Sequence, residues 1–257
     1  MPGKPSLEGA FAAPQSKRRY VRGLFATIAD RYDLITVLLS FGRDRHWKFR
    51  LLDLLKIRPG WRVLDLACGT GDLAFGAASR GASTVGLDIT FRMVELARAK
   101  EKTTPEVDFR GAPGENDPRG LMTWLVGDMT DLPIMNASVD AVTTGYGLRN
   151  VPDLPRAIAE IHRVLKPGGW IGSLDFDRPE TPWIRAIYLA YLTVVGSTLG
   201  WVLHRDPDTY RYIPASIRHY PGARGVAVMM RDMGFTDVRH VRVFGGFMAI
   251  NLGRKAQ

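Results

Sequence analysis

Apolar positions change their period along the chain. Val21, Leu24, Phe25 and Ile28 recur at helical spacing within residues 20–33, and a second helix is predicted over 46–57, stopping before Pro59-Gly60. From Trp61 onward the units shorten. Trp61–Ala67 is an apolar run ending in a Gly-rich turn, Asp72–Arg80 is helical and ends at Gly81, and Ser83–Asp88 is a strand ending in an acid. Phe91–Lys102 reads as a helix, and residues 103–120, rich in Pro, Gly and charge, read as a loop. Thr123–Asp128 and Val139–Gly145 are strands. Leu154–Leu165 is a helix closed by Lys166-Pro167-Gly168-Gly169, and Trp170–Phe176 is the fifth strand. Strands alternating with helices imply a parallel sheet covered on both faces. Val226–Met233 is helical up to Gly234. Thr236–Val243 and Phe247–Gly253 then form two strands joined through Gly245-Gly246, so the sheet ends in a hairpin. The predicted fold is α/β: a doubly wound, mostly parallel seven-stranded sheet ending in an antiparallel pair. Residues 1–19 read as a disordered lead and 20–257 as one domain, with a helical cap over 20–58 and a helical insertion over 178–222.

Composition narrows the class. Of 257 residues, 46% are hydrophobic and 24% charged, enough to bury a sizeable core. One Cys excludes a disulfide framework and points to a reducing, cytoplasmic compartment. The net charge of +9 is uneven. Residues 1–58 hold 12 basic and 5 acidic side chains, 59–203 hold 14 and 17, and 204–257 hold 9 and 4. Basic flanks are either a solvated surface or an attraction for phosphate on nucleic acid or an anionic membrane. Met1–Pro14 lacks the charged-then-apolar order of a signal peptide. Ala186–Leu203 carries no formal charge but contains Thr193, Gly196, Ser197, Thr198 and Gly200, so it reads as a buried or membrane-touching element rather than a span.

The richest stretch is Val63-Leu64-Asp65-Leu66-Ala67-Cys68-Gly69-Thr70-Gly71-Asp72. An apolar strand carrying an acid runs through glycines into a helix. A dinucleotide site wants pyrophosphate at that helix start, where Asp72 places negative charge instead. S-adenosylmethionine, with a cationic ammonium and sulfonium, suits the acid Asp65. Asp88 ends strand two and suits ribose hydroxyls. Asp128 ends strand three and suits an adenine amino group. Three acids at successive strand ends share the edge where open α/β sheets bind ligands. Cys68 in this loop reads as a small buried filler, and the five histidines show no metal-ligand spacing, so no metal is predicted.

These residues resemble the class I methyltransferase pattern. The chain from about 20 to 255 resembles, more narrowly, the ubiquinone/menaquinone biosynthesis C-methyltransferase family. The matching pieces are Ala29-Asp30-Arg31-Tyr32-Asp33, Leu39-Ser40-Phe41-Gly42, Trp47-Lys48, Tyr146-Gly147-Leu148-Arg149-Asn150-Val151, Arg163 to Gly169, Tyr210-Arg211-Tyr212-Ile213, Ser216-Ile217-Arg218 and Gly245-Gly246-Phe247. The resemblance implies an enzyme that methylates a ring carbon of a polyprenylated benzoquinol or naphthoquinol with S-adenosylmethionine. It carries cofactor contacts onto Thr70, Asp88, Asp128, Met129 and the backbone at Gly145, beside Asp65, Gly69 and Gly71 of the loop. Departures fall near the expected acceptor pocket. Leu34-Ile35-Thr36 stands where the family has Met-Asn, Asp44 where it has His, and Asp175-Phe176-Asp177 where it has Glu-x-Ser.

Methyl transfer is an in-line displacement in which positioning can supply ~7–11 kcal/mol. A ring carbon becomes nucleophilic when a neighbouring hydroxyl ionises, which for a phenol at pH 7 costs about 4 kcal/mol. Arg149 is the expected cation beside the forming phenolate, and Asn150 is expected to hold the substrate oxygen or Arg149. Asp175 is the leading base candidate, against an ion-paired or capping role. Tyr210, Tyr212 and Arg218 are expected to line the acceptor pocket, and Tyr32 and Asp33 to close it. Residues 182–203, beside basic flanks, fit either a lid docked peripherally on the inner face of an anionic membrane or a homodimer interface. The main alternative function is methylation of a different aromatic small molecule. Without an RNA-binding module or an Asn/Asp-Pro-Pro-aromatic motif, no nucleic-acid partner is expected.

Overall fold

The computed structural model describes residues 6–103 and 122–257. The loop expected over 103–120 lies outside the described residues, apart from Thr103. Seven strands, β1 (Arg62–Leu66), β2 (Ser83–Asp88), β3 (Met122–Val126), β4 (Val139–Gly145), β5 (Leu165–Phe176), β6 (Phe235–Val243) and β7 (Met248–Lys255), form one sheet in the order β3-β2-β1-β4-β5-β7-β6. The first five run parallel, and β7 is antiparallel to both β5 and β6. The doubly wound sheet with a terminal hairpin is therefore present. β5 begins five residues before its predicted start. Leu165 pairs with Val139 and Trp170 with Ala141, so Lys166–Gly169 bulges within the strand instead of preceding it.

Both faces of the sheet are covered. On one face α7 (Leu154–Val164) and α10 (Gly222–Asp232) pack Ile158, Ile161, Val226 and Met230 against Leu64, Leu66 and Val142. On the other, α4 (Asp44–Leu55) and α5 (Asp72–Ala78) pack Trp47, Leu51, Leu55 and Leu73 against Val63, Ala141 and Ile250. The alternation of Val63 and Leu64 to opposite faces is the two-residue period of a strand. Beside them α6 (Phe91–Thr103) and α5 enclose Trp124 with Phe75 and Val94. Gly71 caps α5 at φ 92°, and a Cβ there would fall 2.5 Å from the Trp124 ring. Only glycine combines that backbone with that clearance.

The remaining helices collect at the C-terminal edge of the parallel strands. They are α1 (Leu7–Ala10), α2 (Pro14–Ile28), α3 (Tyr32–Leu39), α8 (Pro182–His204) and α9 (Asp208–His219). The lead expected to be disordered is ordered from Ser6, whose hydroxyl accepts from Gly9 N at 3.1 Å. Phe11 stacks on His219 with centroids 4.1 Å apart, which ties the lead to α9.

Asp177 is a helix cap. Its Oδ1 accepts from Ala223 N at 2.9 Å at the start of α10 and from Arg178 N at 2.8 Å. Asp177→Ala is expected to destabilise the fold by about 1 kcal/mol, read as a lower denaturation midpoint. Its acceptor preference is expected to match that of the parent, and a changed preference would contradict the capping role.

Candidate active site

Two cavities meet at the C-terminal edge of the sheet. The first lies over the ends of β1, β2 and β4 and is lined by Gly69, Asp88, Asp128, Met129, Gly145 and Asn150, with Arg18 of α2 at its side. The second is bounded by α2, α3, α8 and α9 and has mostly apolar walls. Phe25, Tyr32 and Tyr146 line both, so they form the junction.

The acids at the ends of β2 and β3 are held in place by backbone and cation. Asp88 accepts from Gly69 N at 2.9 Å and Thr90 N at 2.8 Å, and burial raises its pKa. Asp128 accepts from Thr130 N and Oγ1 at 2.8 and 2.7 Å, while Arg18 Nε lies 2.8 Å from its other oxygen. Of the eight residues expected at the cofactor, Gly69, Asp88, Asp128, Met129 and Gly145 line the first cavity.

Asp65, Thr70 and Gly71 stand behind the loop. Asp65 is fully buried and accepts from Thr143 Oγ1 at 2.8 Å. Burial pushes its carboxyl up to about 7 against the hydrogen bond of Thr143. Thr70 Oγ1 donates to Asp33 Oδ1 at 2.6 Å and accepts from Lys100 Nζ at 3.3 Å. Asp33 is thereby turned away from the acceptor cavity toward the loop, which corrects its expected place.

The turn after β4 carries the most specific motif. Leu148–Asn150 is a single 3-10 turn whose side chains fold back onto the Tyr146 carbonyl. Arg149 Nη1 donates to it at 3.0 Å and Asn150 Nδ2 at 2.7 Å. Arg149 is 6% exposed, so its charge requires a partner. Asp175, 4% exposed at the end of β5, supplies it. Oδ1 accepts from Arg149 Nη1 at 2.7 Å and from Phe176 N at 2.9 Å, and Oδ2 accepts from Arg149 N at 3.2 Å. Burial works against the charge of Arg149, but Asp175 outweighs it and raises the guanidinium pKa. The guanidinium also sits 4.7 Å over the Phe176 ring. Asp175 borders neither cavity and has both oxygens engaged. It is the counter-ion of Arg149, and this corrects its reading as a base.

Two residues of the supposed lead complete the site, and nothing in their sequence context marked them. Lys17 Nζ donates to the carbonyls of Arg149 and Val151 at 2.9 and 2.7 Å, closing the end of the Leu148–Asn150 turn. Burial first, and then Arg149, lower its pKa to about 8. Its neighbour Arg18 reaches the other cavity.

Tyr210 and Tyr212 line the second cavity as expected, and so do the family departures Ile35 and Thr36. Tyr210 Oη lies 3.0 Å from His204 Nε2. Arg218 is exposed on the far side of α9 and lines neither cavity, because Tyr210, Tyr212 and Ile217 occupy the inward face of the helix. Arg149 Nε, Asn150 Oδ1 and Tyr212 Oη are buried without a hydrogen-bond partner. Arg149 and Tyr212 line the second cavity and Asn150 the first, so each cavity has a buried polar group left for a ligand to satisfy.

Comparison with known proteins identifies the family and the fold. The ubiE/COQ5 methyltransferase family model matches residues 13–255. A ubiquinone/menaquinone biosynthesis C-methyltransferase UbiE from Geobacter sp. strain M21 is 37% identical over 246 residues, covering 95% of this chain and 99% of the relative. A demethylmenaquinone methyltransferase from Beutenbergia cavernae is 36% identical over 235 residues, covering 91% of this chain and 90% of the relative. Among solved structures, a SAM-dependent methyltransferase from Thermotoga maritima shares the fold with a TM-score of 0.62 at 18% identity. That likeness covers 91% of this chain and 99% of that one.

The raised carboxyl of Asp65 gives a pH test. The folded chain holds a proton there that the unfolded chain releases near the ordinary carboxylate range. That stability is fully present below about pH 4 and is lost as pH rises through about 7. Asp65→Asn keeps the shape without titrating. Its stability relative to the parent is therefore expected to rise by a few kcal/mol between those limits, measured by denaturant unfolding. A constant difference across the window would place the ionised form of Asp65 in the fold.

Proposed function

The chain belongs to the ubiE/COQ5 methyltransferase family. On that premise we propose that it methylates a ring carbon of a polyprenylated quinol, a demethylmenaquinol or the benzoquinol precursor of ubiquinone. The observation that carries this reading is the second cavity. It is mostly apolar, and two of its lining residues, Arg149 and Tyr212, carry a buried polar atom, Nε and Oη, without a hydrogen-bond partner. S-Adenosylmethionine, when bound, supplies a methyl group on a cationic sulfonium. The first cavity fits it: Asp88 offers a pinned carboxylate to a diol, Asp128 and Met129 face an adenine, and Gly145 leaves the backbone open.

The protein's own residues then do three things. The apolar walls seat the ring and its tail and keep water out, which strengthens every charge interaction inside. Arg149, fixed by Asp175 and the Tyr146 carbonyl, stabilises the phenolate that makes the ring carbon nucleophilic. Asn150, which donates to the same Tyr146 carbonyl as Arg149, holds the turn that carries Arg149. Because Arg149 keeps its proton, it acts as an electrostatic partner and not as the base.

The same reading places the enzyme on the inner face of an anionic membrane. Helix α8 is long and apolar enough to cross a bilayer, yet it has a docked face and a free face. Tyr188, Leu192, Gly196 and Gly200 are buried, and a Cβ on Gly196 would fall 3.0 Å from the Tyr210 carbonyl of α9. Trp183, Ile187, Tyr191, Val194 and Trp201 face outward, all at least 43% exposed. Leu34, Val37, Leu38 and Phe41 of α3 and Phe244 of the hairpin turn add to this apolar surface. Phe41, Tyr191 and Phe244 also line the second cavity, so the cavity opens within it. A helix lying in the interface, flanked by basic segments, suits collection of a lipid substrate.

Purified protein incubated with labelled S-adenosylmethionine is expected to label the ring of a demethylmenaquinol or desmethyl benzoquinol. Cofactor binding with no label in any quinol, but label in another phenol, would move the acceptor to a soluble aromatic. Arg149→Ala is expected to bind cofactor normally and lose ~10²–10³-fold in turnover. Normal turnover would remove Arg149 from the chemistry. Trp183→Ser with Trp201→Ser is expected to lose co-sedimentation with vesicles containing anionic phospholipid, while activity on a tailless quinol stays unchanged. A dimer in sedimentation, without vesicle binding by the parent, would assign that face to a second copy.

A further inference from the structure

Tyr146 stands where the two cavities meet. It follows β4 directly with a left-handed backbone at φ 61°, a conformation that a non-glycine residue keeps only where its surroundings enforce it. Its amide donates to Leu174 O at 2.7 Å, and its carbonyl holds Arg149 and Asn150. Its hydroxyl donates to Asp44 Oδ1 at 2.6 Å.

Asp44 opens a chain of ionisable groups. It is 5% exposed, and its second oxygen lies 2.6 Å from Lys48 Nζ. Lys48 also reaches Asp72 Oδ2 at 2.8 Å. Lys100, whose side chain is 32% exposed, contacts Asp72 at 3.1 Å and Asp33 at 2.9 Å. The chain therefore runs from the junction to a charged cleft at the surface, which Arg45 also lines.

The reaction has an unfilled role. The acceptor's hydroxyl must lose its proton, yet Arg149 stays protonated and Asp175 is committed to Arg149 outside both cavities. Asp88 and Asp128 border only the first cavity. Resting on the reading of a phenolic acceptor, we propose that Tyr146 is a catalytic residue that takes the acceptor's hydroxyl proton while passing its own to Asp44. The acceptor's O–H bond breaks as the Tyr146 oxygen gains that proton, and the Tyr146 proton moves to Asp44 Oδ1. Tyr146 stays neutral throughout and a phenolate is left beside Arg149. The ring carbon then bonds to the methyl carbon as the carbon–sulfur bond breaks, with that electron pair remaining on sulfur. The methylated ring carbon releases its hydrogen to water as a proton. The electrons of that bond restore the aromatic ring, and the proton on Asp44 returns through Tyr146 to the oxygen. One proton is released in all, and both side chains regain their starting states. Burial, followed by Asp44, raises the Tyr146 pKa well above its usual range, which suits a neutral relay and not a tyrosinate base.

The test compares Tyr146→Phe with the parent, as full chains, on two acceptors. One is a reduced quinol that is un-ionised at the assay pH, and the other is an electron-poor naphthol already ionised there. Single-turnover methyl transfer and calorimetric cofactor affinity are measured. The expected result is at least ~10²-fold loss on the un-ionised acceptor, nearly full rate on the ionised one, and unchanged cofactor affinity. Asp44→Asn is expected to follow the same split, and the double variant to lose no more than either single one. Equal losses on both acceptors, or no loss on either, would overturn the relay while leaving the acceptor reading intact. A parent enzyme that methylates neither phenol would overturn the acceptor reading and the relay with it.

Discussion

A guanidinium buried to 6% exposure sets the terms for the rest of the site. Such a charge is strongly disfavoured unless it is paired and hydrogen-bonded, and a buried pair seldom repays its own desolvation. The fold meets the demand from three directions. Parallel pairing of β4 with β5 sets Gly145 opposite Leu174, which brings the turn after one strand against Asp175 at the end of the other. The Tyr146 carbonyl, freed by a left-handed backbone, takes a second hydrogen bond from Arg149. The Phe176 ring covers one face of the cation. Nothing in this arrangement is an efficient way to stabilise a sheet. Its effect is to hold a fixed positive charge at a buried place beside the second cavity.

The two cavities are built on different physics. In the first, acids are pinned by backbone amides and one surface cation, so the site is polar and shaped before anything enters. In the second, mostly apolar walls come from helices outside the sheet, and Arg149 is the charged residue in the lining. Residues that line both, Tyr32 and Tyr146 above all, are what make the pair of cavities a single reaction space. Thr70 of the loop and Asp65 of β1 stand behind this space. Thr70 is tied to Asp33 and Lys100, which braces the glycine-rich turn against α3 and α6, and Asp65 is tied to Thr143 across the β1–β4 pair.

Sequence pattern located the strand-end acids because a strand's register fixes where its last residue lies. Asp88 and Asp128 could be placed from two short apolar runs. The motif after β4 was equally legible, since Arg149 and Asn150 follow a strand by four and five residues. What stayed hidden were partnerships across long separations. Asp175 meets Arg149 through strand pairing between residues 26 apart, and Asp44 meets Tyr146 across 102. Lys17 and Arg18 stood in the segment read as a disordered lead, because a strap held by two cations leaves little apolar periodicity. Arg218 failed for the opposite reason: it shares a motif with two inward tyrosines, but helical geometry turns it outward.

The strap has a consequence for how the chain reaches its native state. Lys17 finds its two carbonyl partners 132 and 134 residues later, and Arg18 finds Thr130 after 112. Loop closure over such distances is entropically demanding and comes late in folding. During synthesis α2 therefore emerges before the sheet and waits through most of its assembly without its docking site. Val21 and Phe25 remain uncovered in that interval, so a nascent-chain binder has its longest opportunity at the segment that closes last.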